Sequence, residues 1–165
     1  MVRLVLVMGL LMTASVTWLQ LAQHVAWKGL GTLSVKVAAG RFVPDDLDVI
    51  APFLLRNTPL RCAVLRTGVP VTLNLYAGDL MAHALDTSTF HPSDDPALTS
   101  QRKQTQRLLH DAIACAPMDG DLWLKLAMVA RALDEPAPAI TRYLAMSQKF
   151  APYEGWIMDR RAQLF

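Results

Sequence analysis

Charge is scarce in this chain. Asp, Glu, Lys and Arg make up 18% of its 165 residues, where a soluble domain carries roughly 25%. Cysteine is scarcer: there are only Cys62 and Cys115. Neither has a second ligand within the short spacing that zinc motifs require, so no metal site is expected. The sequence holds no G-x-x-x-x-G-K-[ST] phosphate loop and no G-x-S-x-G elbow, which leaves nucleotide chemistry and serine-hydrolase chemistry without their usual carriers. Four histidines, His24, His83, His91 and His110, are scattered. His83 shares a helix face with Asp79 at i, i+4, and His110 adjoins Asp111. Both pairs read as surface or hydrogen-bonded core residues rather than as an acid–base site. The paired carboxylates, Asp45 with Asp46 and Asp94 with Asp95, stand where helix caps are expected. The expectation is no enzyme and no cofactor.

What the chain has in excess is apolar residues, 53% of the whole against roughly 45–50% in typical domains. The surplus sits at the N-terminus. Residues 4–22 read LVLVMGLLMTASVTWLQLA, and at ~1.5 Å per residue this stretch nearly matches a hydrocarbon core of ~30 Å. No charge falls between Arg3 and Lys28, and Trp18 and Trp27 sit where interfacial aromatics gather. Residues 1–30 are therefore expected to form an uncleaved transmembrane anchor. A cleaved signal and a buried soluble helix remain as alternatives, although residues 20–24 offer no good small-x-small cleavage site. Lys28, Lys36 and Arg41 follow the run and pull the domain towards the cytoplasm. A short N-terminus before a single apolar segment is nonetheless how export signals are built. The domain is expected outside the cytoplasmic membrane, on a single-pass anchor.

The net charge of +2 belongs to Arg3 and Lys28; from residue 31 onward the basic and acidic counts are 14 and 14. That balance argues against a nucleic-acid partner. Arg102, Lys103 and Arg107 come closest to a basic cluster and read as a solvated helix face more readily than as a phosphate or lipid contact.

Residues 31–44 read as a juxtamembrane connector, in a stretch that holds glycines and ends in Pro44. Residues 45–165 turn helical. Asp45 or Asp46 could cap a helix running to Leu55, with Pro52 interrupting it, and Asn57, Thr58 and Pro59 form a turn signal. Residues 60–85 form an apolar stretch broken at Gly68, Val69 and Pro70, with Leu73, Tyr76, Ala77, Leu80 and Ala84 at helical spacing after the break. Asp95 as N-cap with Pro96 at the first position predicts a helix to about Ala116. Leu98, Thr105, Leu108 and Ala112 would face its core, with Gln101, Arg102, Lys103 and Gln104 towards solvent. Further on, Leu122, Trp123, Leu126, Ala130 and Leu133 form one apolar stripe and Ile140, Tyr143, Leu144 and Ser147 a second. Asp134, Glu135 and Pro136 turn the chain between them, and Ala127 and Ala139 permit close contact. The fold class expected is all-α, a transmembrane helix followed by an antiparallel helical hairpin.

Residues 120–153 resemble a tetratricopeptide repeat, a helix–turn–helix unit of about 34 residues. With Gly120 as first position, Trp123 falls on the large aromatic, Leu126 and Ala127 on the leucine and small residue, Ala139 on the small residue of the second helix, and Tyr143 on its aromatic. Pro152 arrives one place late for the closing proline. In the unit before it, Pro117, Leu109 and Ala112 agree, while the first helix matches poorly. The resemblance implies a scaffold that binds other proteins through a concave groove, with Lys125 and Met128 as its less buried positions. Residues 45–161, with CAPMDGDLWLKLA ahead of SQKFAPYEGWIMDRR, also resemble small bacterial membrane-anchored helical-repeat proteins that accompany surface-polysaccharide assembly. That resemblance implies an adaptor of an envelope assembly in the inner membrane. A non-catalytic subunit of an envelope enzyme complex, or a secreted helical protein, are the alternatives. The apolar edge of Trp156, Ile157, Leu164 and Phe165 is expected to pack on the membrane or on a partner.

Two cysteines in an exported domain permit one disulfide. Bridging Cys62 and Cys115 would contribute ~4 kcal/mol through loop entropy; the alternative is a pair of buried thiols behaving as small apolar groups.

Overall fold

The computed structural model describes residues 62–85, 87 and 91–162, together with Leu60 and a few isolated positions nearer the N-terminus. Among the described residues the fold is all-α: α1 (Cys62–Leu65), α2 (Val69–Ala84), α3 (Pro96–Cys115), α4 (Gly120–Ala132), α5 (Ala137–Phe150) and α6 (Gly155–Ala162). Of the connector over 31–44 only Gly31 and Val35 are described, both helical; the helix and turn expected over 45–59, and Leu164 and Phe165, lie outside the described residues, as does most of the anchor. Of residues 4–22, Met8, residues 13–15, Thr17 and Trp18 are described, and all are helical and exposed. No helix among the described residues is long and apolar enough to cross a membrane.

Local chemistry sets the helix boundaries. After α1, Gly68 takes a left-handed conformation (φ 71°) that reverses the chain without a Cβ penalty, and Pro70 then stands in the first turn of α2. The Thr67 hydroxyl donates to the Val64 carbonyl at 2.6 Å and accepts from the Val69 amide. The Asp95 carboxylate accepts from the Leu98 amide at 2.7 Å, with Pro96 next to it, which is the start expected for α3. Asp119 caps α4 by accepting from the Asp121 and Leu122 amides. That helix ends in a Schellman motif: the Asp134 amide donates to Arg131 and the Glu135 amide to Ala130, with Asp134 itself at φ 56°.

Successive long helices run antiparallel. The first residue of α4, Gly120, lies against Ala151 and Ser147 at the end of α5, and Arg102 near the start of α3 reaches Ala132 at the end of α4. Helix α4 is the centre of the domain, packed on α3 at one side and α5 at the other, with α6 closing on its start. Position explains its burial. Leu124, Leu126, Ala127 and Ala130 are all fully buried, and Met128 and Val129 nearly so. The single stripe expected for α4 is therefore too narrow, since a helix covered on two sides is apolar nearly all round. Helix α5 lies at the edge and buries only Tyr143, Leu144 and Ser147. Leu98, Leu109, Ala112 and Ile113 of α3, Leu73 and Ala77 of α2, and Ile157 of α6 are among the other buried residues.

Three arginines close three successive helix C-termini, where carbonyls lack intrahelical partners. Arg66 donates through Nε and a terminal nitrogen to the Cys115 carbonyl of α3 (3.3 and 3.2 Å), Arg102 to Ala132 of α4 (2.9 Å), and Arg161 to Ala151 at the C-cap of α5 (2.8 Å). Arg102 and Arg161 are buried. The solvent-side assignment of Arg102 is corrected accordingly, and burial lowers the pKa of its guanidinium.

Candidate functional site

Cys62 of α1 and Cys115 of α3 are joined as a disulfide, with Cα atoms 5.2 Å apart and a sequence separation of 53. The bond and the Arg66–Cys115 contact fasten α1 to the end of α3 from two directions. Cys62 is exposed and Cys115 half-buried.

The residues singled out by the repeat pattern meet around the α4–α5 pair. Leu126 and Ala127 are wholly buried, and Ala139 is half-buried against the same core. Half-buried Trp123 donates from its indole nitrogen to the Pro117 carbonyl at 2.8 Å. Its ring lies 6.3 Å from that of Tyr143. Tyr143 also meets His110 of α3 edge-on at 6.4 Å, and the Arg142 guanidinium stands 5.5 Å from its ring centre. An aromatic seam thus ties α3, α4 and α5 together, each contact of the kind worth about 0.5–1.5 kcal/mol. Pro152 is half-buried just past α5. His110 meets this seam from an exposed position on α3, and His83 and Asp79 are exposed on α2.

The two groove positions separate. Lys125 is half-buried and pairs with Asp121 one turn earlier at 2.5 Å. Met128 is only 7% exposed, so it does not offer a groove surface. It borders a half-open cavity of about 30 Å³ lined by α2, α3 and α4, with Asn74, Thr105 and Arg102 on the wall, room for a water or two. Asn74 is itself buried, donating to the Pro70 carbonyl and accepting from Gln101. The basic cluster also separates, since Lys103 and Arg107 stay exposed while Arg102 turns inward.

A further cleft, of about 390 Å³, opens at the far end of the bundle between the segment before α3 and the α4–α5 turn. Asp94, Lys103 and Asp134 border it, and Gln106 donates to Glu135 across it. Sequence spacing gave no sign of this cleft, because its walls come from segments about 40 residues apart whose meeting depends on the antiparallel packing. Among the described residues no three His, Cys, Asp or Glu side chains converge as a metal site would require.

No protein-family model matches the chain, and no curated protein or solved structure matches it either.

Proposed function

We propose that this chain is a membrane-tethered, tetratricopeptide-like interaction module, a scaffold or adaptor whose helical domain lies outside the cytoplasmic membrane. The observation that carries the reading is the Cys62–Cys115 disulfide in a domain that follows the apolar run at 4–22. Protein disulfides persist in oxidising compartments and are rare in the cytosol. A 19-residue uncharged run ahead of such a domain suits an export signal retained as an anchor. Exposed Met8 and Trp18 suit a helix whose surroundings are lipid.

The tetratricopeptide reading rests on the close pairing of α4 with α5 and on the residues at its seam. Gly120 lets the start of α4 touch the end of α5, Ala127 is buried in the core, and the tilted rings of Trp123 and Tyr143 meet across the pair. The module's work is binding, and tethering raises its effective concentration at a membrane assembly. The resemblance of residues 45–161 to anchored repeat proteins directs the search for that assembly to surface-polysaccharide synthesis in a bacterial envelope.

Topology decides the matter. Alkaline phosphatase and green fluorescent protein are fused separately to Phe165, and phosphatase activity without fluorescence is expected. Fluorescence without phosphatase activity would put the domain in the cytoplasm and end the proposal.

A further inference from the structure

The disulfide does not present its two cysteines equally. Cys62 opens α1 and is exposed, as are Ala63 and Arg66 beside it. Cys115 closes α3, is half-buried and packs against the hydrophobic core. An incoming thiolate reaches Cys62 from solvent, whereas at Cys115 it meets a residue packed into the domain. Charge selects the same direction. Arg66 donates through Nε and Nη2 to the Cys115 carbonyl at 3.3 and 3.2 Å. That contact holds a cation at the C-terminus of α3, an end where negative charge is otherwise disfavoured. A thiolate released at Cys115 forms beside a guanidinium, and a thiolate leaves more readily where a cation stabilises it.

The bond is also separable from the fold. Val64 and Leu65 of α1 are buried, and the Arg66 hydrogen bonds involve neither sulfur. With the sulfurs apart, α1 keeps an apolar and a polar hold on the domain. Helices α2 to α5 pack on one another directly. Exchange at this bond therefore does not have to wait for the domain to unfold.

We propose that Cys62 is an exchange site: its sulfur forms the mixed disulfide when a dithiol–disulfide oxidoreductase makes or breaks this bond, and Cys115 is the resolving thiol. In the reducing direction a thiolate of the dithiol attacks Cys62 Sγ. The Cys62–Cys115 bond breaks, and its electron pair leaves on Cys115. The second thiol of the same partner then attacks the partner's sulfur in the mixed disulfide and releases Cys62. Two electrons pass from the dithiol to the cystine, and the two protons the dithiol gives up end on Cys62 and Cys115. The oxidising direction runs back through the same intermediate. A dithiol is required because Cys115 stays close to Cys62 and closes again on a monothiol adduct. Only a second thiol carried by the attacker competes at a comparable effective concentration. The inference stands on the bond and its surroundings, and does not depend on reading residues 4–22 as an anchor.

The test uses the oxidised full chain, purified in mild detergent under native conditions. A pulse of glutathione is quenched with acid before reduction is complete, and the freed thiol is capped with a maleimide while the solution is still mildly acidic. Digestion and mass spectrometry then locate the two labels. The expected result is glutathione on Cys62 and maleimide on Cys115, several-fold over the reverse pair, with the preference shrinking in urea, where both sulfurs are open. Dithiothreitol at the same thiol concentration should reduce the bond fully, at a rate that rises with its concentration, while the helical circular dichroism is retained; glutathione should leave most of the bond closed. Equal adducts in the native protein, or glutathione chiefly on Cys115, overturns the assignment. A reduction rate independent of dithiothreitol concentration also overturns it, because exchange would then wait on unfolding. Complete reduction by glutathione as fast as by dithiothreitol overturns the requirement for a dithiol partner.

Discussion

The Arg102 guanidinium on α3 donates to the carbonyl of Ala132, the last residue of α4, at 2.9 Å in a buried setting. This contact locks the order of two antiparallel helices, because it joins the start of one to the end of the next. Its loss should be costly. Arg102→Met keeps the apolar stem but removes the charged donor, and hydrogen bonds to charged groups are worth about 1.5–3 kcal/mol. Arg102→Ala removes the stem as well and enlarges the cavity beside Met128, for an expected loss of about 3–5 kcal/mol. Denaturant unfolding followed by circular dichroism measures both, and Ala should fall below Met.

Gly120 carries a second sharp expectation. A Cβ there would lie 2.5 Å from the Ala151 Cβ and 2.8 Å from the Ala151 nitrogen. Backbone cannot swing aside as a side chain tip can, so Gly120→Ala must push α4 away from α5. The higher helix propensity of alanine offsets about 1 kcal/mol of this, and overpacking costs typically 1–3 kcal/mol. A net loss is expected, with the midpoint shifted down in urea. Ala151→Gly in the same chain should recover part of it, which no general effect of residue 120 on helix propensity would do.

How much of this was legible beforehand differs between positions. The start of α3 could be read from Asp95 and Pro96, since capping is a local contest between one carboxylate and the nearest free amides. The break at Gly68 and the turn at Asp134 are local in the same sense. Arg102 was misread because a cation among Gln101, Lys103 and Gln104 has the pattern of a wet face. Only the arrival of the α4 C-terminus, 30 residues later in the chain, gives it a buried acceptor. Met128 was misread for the same reason. Its neighbour across the cavity is α2, a helix outside residues 120–153, so nothing in the spacing announced that this side of α4 would be covered. The far-end cleft and the Asn74 network are also products of long-range packing, which periodicity does not encode.

Asp134 holds a left-handed conformation at φ 56°, the position of a Schellman motif that glycine usually fills. Aspartate tolerates it better than most residues but still bears a Cβ penalty. Asp134→Gly is expected to stabilise the domain by about 0.5–1 kcal/mol, and Asp134→Val to destabilise it by at least as much. Thermal unfolding of the three proteins should rank Gly above Asp above Val. The substitution also removes an acidic group from the far-end cleft, so any ligand affinity found there can be examined in the same protein without loss of fold.

The Cys62–Cys115 bond closes a loop of 53 residues, and a loop of that length restricts the unfolded chain by about 4 kcal/mol. The bond reaches across α2 and most of α3, so the unfolded states it removes are those in which these helices separate from the rest. Reduction should therefore lower the unfolding midpoint by an amount close to that of the Cys62→Ala, Cys115→Ala double variant. Either single variant should match the double for stability, because a bond needs both sulfurs; a single variant as stable as the wild type would show that the bond is not what holds α1. Cellular labelling extends the expectation. In whole cells quenched with acid and treated with a thiol-alkylating reagent of visible mass, the protein should gain no mass unless first reduced, and then two labels. Labelling without reduction would mean free thiols in the cell and would remove the main support for an exported domain.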